Sequence, residues 1–361
     1  MTQGTSPAAE GRPDVMNDRT SRHPSRSTYA VLASALALLS AVPMVTRNNY
    51  VLHVFVQIFF FGYLGLAWNV MCGYTGQLSF GHAAFFGLGT YTSTLLLLNL
   101  GVSPWIGMFA GAILAAALGL AIGGVSFKYG ARGVFFSFIT MAIGEIMKLV
   151  ALYWNSLTNG AEGLLIPFSA QNLAMFSIAM ENKYLFYYIM LAMLAACTWV
   201  AYRLKKARFG YYLLALRENE DAAEMIGVDV FRYKVAAVTV SAFLTAFAGT
   251  FYAHYYQHFE PEDIFGVVTS FTIMYPVIIG GGDYLFGPIL GSAVLAVFEE
   301  GSRALMPQTM HGFHRILYGV VIILVIVYLP NGLMELVTRL KNRVLRGAQS
   351  RRQRKTATWE S

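Results

Sequence analysis

The chain has 361 residues, 56% of them hydrophobic and only 12% charged, with a mean hydropathy of +0.53. Soluble domains carry roughly 25% charged residues, so the composition excludes a soluble globular protein. The net charge of +7 does not mark a nucleic-acid binder either, because the basic residues fall in loops and tails between apolar runs.

Many of these runs approach the ~20 residues that cross about 30 Å of hydrocarbon as a helix. They are continuously apolar, without the alternation of a barrel strand. The predicted fold is an all-α polytopic membrane protein of about 8–10 transmembrane helices with Gly-interrupted segments.

Residues 1–27, rich in Ser, Pro, Thr and Arg, read as a disordered tail. The first apolar run, 28–45, is long for a signal-peptide core, and Arg47-Asn-Asn is a poor cleavage context, so it reads as an uncleaved span. Further runs follow at 51–71, 76–98, 105–127, 133–153, 184–202 and 235–256. Two short ones, 267–280 and 286–299, admit either two crossings or a re-entrant pair, and 316–329 is the last. The membrane domain is thus 28–335, followed by a basic tail at 336–361. With ten crossings, 21 Lys or Arg fall on one side and four on the other, which predicts both termini in the cytoplasm.

The charged segment 203–234 stands between two membrane-grade runs and holds seven Lys or Arg, which puts it on the cytoplasmic side. Leu213, Leu216, Ala223 and Ile226 recur at helical spacing, Asn219 is a cap before Glu220 and Asp221, and Gly227 supplies a stop. An amphipathic helix between two spans is a feature that a soluble partner can grip.

Two Gly-rich segments, 73–91 and 278–291, sit where one run gives way to the next. Close helix packing accounts for Gly81, Gly87 and Gly89. It does not account for Gln77, Ser79 and His82, which at membrane depth need partners or a polar cavity. With Tyr74 and Glu145 they are the candidate substrate-path residues. Glu145 and Lys148, three residues apart, share a helix face and can pair. His254 and His258 look interfacial rather than metal-binding. Cys72 and Cys197 read as small buried hydrophobes, and no catalytic constellation stands out.

The stretches GYTGQLSFGHAAFFGLGTY at 73–91, EIMKLVALYWNSLTNGAEGL at 145–164 and FGYYLLALRENEDAAEMIGVDVFRYK at 209–234, with 278–291 and a closing YLPNGL at 328–333, resemble the LivM-type permease subunit of bacterial ABC importers for branched-chain amino acids. The resemblance implies a bacterial inner-membrane protein working with a LivH-type second permease, two ABC ATPase subunits and a periplasmic substrate-binding protein. It also implies a coupling helix carrying Arg217, Glu218, Asn219, Ala222, Ala223, Ile226 and Gly227. ATP and Mg belong to the partners, since this chain has no GxxxxGK[ST] loop and is expected to bind no cofactor. Asp283 and Tyr284 depart from a more usual Gly-Gly-x-Gly-Thr-type turn. Related permeases serve urea or short-chain amides, so that reading stands as an alternative, as does an ion-coupled secondary transporter.

Overall fold

A computed structural model describes residues 37–46, 48–167, 183–305, 313–329 and 332–339. The tail expected at 1–27 and all but the first residues of that expected at 336–361 lie outside these residues. The stretch up to Arg47 is a unit of its own, and its helix α1 covers 37–45.

The second unit, from Asn48 onward, is helical almost throughout. In chain order come α2 (Asn49–Thr75), α3 (His82–Leu100), α4 (Pro104–Lys128), α5 (Val134–Tyr153), the short α6 (Asn155–Thr158) and α7 (Lys183–Lys206). Next are α8 (Arg208–Glu218), α9 (Glu220–Met225), α10 (Val230–Tyr256), the short α11 (Pro261–Phe265), α12 (Val267–Gly280), α13 (Gly287–Leu305) and α14 (Phe313–Tyr328). A last helical stretch, α15, covers 333–339. Six helices, α2, α3, α4, α5, α7 and α10, are each long and apolar enough to cross a membrane, and the protein is a multi-pass α-helical membrane protein.

Two ends of the bundle can be told apart by their contacts. At one end Arg132 reaches Glu220 and Asp221, and Arg217 reaches the Gly73 carbonyl and Asp283, so the loops at 76–81, 129–133 and 281–286 gather round α8 and α9. We call this the loop end. At the opposite end a two-stranded ribbon pairs β1 (Leu164–Leu165) with β2 (His258–Phe259), and Tyr50 donates to the Glu300 carbonyl at 3.2 Å. The pair α12–α13 therefore runs from the opposite end to the loop end and back alongside α2, the course expected of two crossings rather than of a shallow re-entrant dip.

The core centres on α10, which packs on α4, α3 and α2, while α2 also meets α7 and α13. Small residues permit this closeness. A Cβ on Gly249 would strike the Phe86 carbonyl of α3, and one on Gly89 would strike the Ala246 carbonyl of α10. The free thiols Cys72 and Cys197 are buried among these helices.

Two sequence expectations change here. The run at 76–98 does not begin a helix at 76. Gly76, at φ +73°, closes α2 in the left-handed region, and α3 starts only at His82. A Cβ on Gly81 would meet the Thr140 carbonyl, so the linker lies flat against α5. The single short helix expected inside 203–234 is two, α8 and α9, broken at the extended residue Asn219.

Candidate functional site

The loop-end site is built around that break. Asn219 leaves the helical region, and its side chain accepts the Ala222 N–H at 3.0 Å, capping α9. Glu220 and Asp221 then sit in the first turn, where carboxylates suit the helix dipole. Gly227, at φ +88°, ends the element as a glycine must in that conformation. A buried cluster of Tyr74, Leu213, Leu216, Ala223, Val228 and Ala237 holds α8 and α9 onto the bundle.

Leu216 and Ala223, read from the sequence as the partner-facing side, are 1% and 2% exposed and face inward. That reading is corrected. The outward apolar surface belongs to Met225 and Ile226, 82% and 78% exposed. Glu218, Asp221, Ala222 and Glu224 are exposed alongside them.

Glu220 is the hub behind this surface. Its Oε1 accepts from Gln77 Nε2 at 2.8 Å and pairs with Lys234, itself only 3% exposed; its Oε2 lies 3.3 Å from Arg132 Nε. Gln77 is spent on both sides, since its Oε1 accepts the Gly133 N–H at 3.0 Å. One carboxylate on α9 thus binds the α2–α3 linker, the α4–α5 loop and the N-terminal part of α10. A carboxylate held by two cations and an amide is far better compensated than an isolated one. Hydrogen bonding to Asp221, with Glu220 beside it, also raises the pKa of the exposed Arg132 guanidinium.

Arg217 lies on the other flank. It donates to the Gly73 carbonyl at 2.8 Å and pairs with Asp283, whose own carbonyl accepts from Lys205. The residue that departs from the resembling turn pattern is therefore the acceptor that fixes the α12–α13 turn to α8.

The remaining sequence candidates separate. Tyr74 is in the buried cluster and Ser79 is 1% exposed. His82 is fully buried, with Nδ1 2.9 Å from Ser79 Oγ and Nε2 2.8 Å from Ser241 Oγ. Ser241 gives its one proton to the Ala67 carbonyl at 2.7 Å, so it must accept from His82 Nε2–H, while Nδ1 bonds Ser79 Oγ. The imidazole is a doubly satisfied strut between α3 and α10.

Glu145 differs, because α5 is the least covered of the six spans, with 28% of its apolar stretch buried against 61% for α10. At the edge of that open side, beside α11, the half-buried Glu145 pairs with Lys148 at 2.7 Å, and Lys148, 15% exposed, also approaches Glu262 of α11 at 3.4 Å. His254 bonds the Thr250 carbonyl and His258 lies 3.6 Å from Glu260; among the described residues no group of three metal-capable side chains exists.

Fold and site together define a multi-pass α-helical membrane protein that presents a braced helix pair at one end. Residues 50–326 match the family described as branched-chain amino acid transport system / permease component. The chain belongs to that family and is a membrane permease subunit, a translocation component rather than an enzyme.

It is 28% identical over 343 residues to the high-affinity branched-chain amino acid transport system permease protein LivM of Escherichia coli (strain K12), covering 88% of this chain and 78% of the relative. The Salmonella typhimurium protein of the same name is 27% identical over the same shares. A probable branched-chain amino acid transport permease protein LivM of Methanocaldococcus jannaschii is 24% identical, covering 72% of this chain and 78% of the relative. No solved structure matches.

Proposed function

We propose that the chain is one of two permease subunits of an ABC importer in a bacterial inner membrane, moving branched-chain amino acids inward. Its partners are a LivH-type permease, two ATPase subunits and a periplasmic substrate-binding protein. The loop end, with the seven basic residues of 203–234, faces the cytoplasm, and both termini lie there too.

The observation that carries this reading is the exposed Met225–Ile226 tip on a helix otherwise locked to the bundle. A solvent-facing apolar tip rimmed by carboxylates is shaped for a protein groove. When the ATPase moves the tip, Glu220 passes the displacement to Gln77, Arg132 and Lys234, and so to five transmembrane helices.

Within this reading the substrate path runs along the open side of α5. A carboxylate at the edge of an apolar, uncovered stretch of a span is costly against lipid, so Glu145, paired with the covered Lys148, borders the second permease and the space between the two subunits. Tyr74, Gln77, Ser79 and His82 back the path and transmit rather than touch the substrate.

The test is Ile226→Asp in the assembled transporter. Loss of a buried Ile costs about 1.5–3 kcal/mol, so ATPase binding should weaken by roughly ten- to a hundredfold with insertion unchanged. Full recruitment and full uptake by Ile226→Asp would refute the docking assignment.

A further inference from the structure

Between α4, α7 and α10 lies an apolar groove of about 440 Å³. Trp105 and Phe247 wall it, Tyr63 and Cys197 form its floor, and Ala192 and Ala196 form the exposed dent of α7. The floor is already satisfied, since Tyr63 donates to the Leu244 carbonyl at 2.8 Å. The groove therefore offers a ligand apolar contact and no hydrogen bond.

Its geometry limits what can enter. Along α7 the lining runs from Ile189 to Val200, which at 1.5 Å per residue is about 16 Å, roughly half of a ~30 Å hydrocarbon layer. A helix, about 10–12 Å across with its side chains, is too broad for this volume, whereas a single unbranched chain is not. The lining positions 189, 192, 193, 196, 197 and 200 share one helical face, and the next position on it is Arg203.

Arg203 lies over the Trp199 ring at 5.2 Å, and among the described residues no carboxylate pairs with it. A guanidinium held by an aromatic ring, one turn beyond a chain-sized apolar groove, is complementary to a phosphate whose tail fills the groove. The geometry points to a phospholipid site: one acyl chain lies between α4, α7 and α10, and the phosphate of an anionic lipid rests on Arg203.

Lipid retention decides this. The full chain is purified in mild detergent, and bound phospholipid is extracted and counted per protein by mass spectrometry. Wild type should retain phospholipid enriched in anionic headgroups over the source membrane. Ala196→Trp fills the groove and should lower retention by about tenfold, the worth of two lost methylene contacts. Ala192→Leu, a gentler filling, guards against a folding failure and should lower it less. Arg203→Gln, on the surface, should abolish the anionic enrichment while a chain is still held. Retention equal to wild type in both filled variants, with enrichment unchanged in Arg203→Gln, would overturn the site. So would cross-linking of Ala196→Cys to another protein segment in native membranes, since the groove would then be a protein contact.

Discussion

Ala223 and Ile226 are three residues apart and face opposite ways, one into the Tyr74–Leu213–Leu216 cluster and the other into solvent. Their variants should fail differently. Ala223→Trp overpacks the cluster at a cost of about 1–3 kcal/mol and should detach α9 from the bundle, seen as protease cleavage near 220. Ile226→Asp should leave that cleavage pattern unchanged. A second residue-scale prediction concerns Gln77→Leu, which strips a partner from Glu220 and leaves the Gly133 N–H unsatisfied, at about 1–3 kcal/mol. ATPase recruitment should persist while uptake per ATP falls, measured in reconstituted vesicles. Unchanged coupling would remove Gln77 from the transmission route. The sequence reading could see that Gln77 needed a partner at membrane depth. It could not see Glu220, because the two are 143 positions apart and only the folded bundle joins them.

Among the elements, the spans were the most legible part. The apolar run 51–71 became α2 at Asn49–Thr75, and 133–153 became α5 at Val134–Tyr153, since apolar length alone dictates a membrane helix. The Asn219 cap and the Gly227 stop were readable for the same local reason. The start of α3 and the inward turn of Leu216 were not, because both depend on neighbours from distant spans. The α12–α13 hairpin shows how tightly such neighbours fit: a Cβ on Gly291 would run into the Pro276 carbonyl, and one on Gly280 into that of Gly287. Backbone cannot yield as a side-chain tip can. Gly291→Ala should therefore destabilise the protein by about 1–3 kcal/mol, read as a lowered Tm in detergent. Gly301→Ala on the same helix meets nothing within 4 Å and should be neutral or slightly stabilising.

For the molecule as a whole, the two-ended arrangement is directly testable. The native thiols Cys72 and Cys197 are buried and give little background. Single cysteines at Asp283 and Glu224 should label from the same side of the membrane, and one at Glu162 from the other. Labelling of positions 283 and 224 from opposite sides would break the two-crossing account of α12 and α13.

The contact between Gly332 and the Gly281 turn bears on how the chain is made. Gly332, at φ +78°, lies so close to the backbone of Gly280 and Gly281 that it has no room for a Cβ. The segment after α14 thus seats on a turn synthesised some fifty residues earlier, and that turn is itself held by Lys205 and Arg217. During biogenesis the segment after α14 can lock only after α8 and the α12–α13 turn have met. A ribosome-bound chain ending before 332 would leave that turn uncapped, while a chain extended past 332 would cover it.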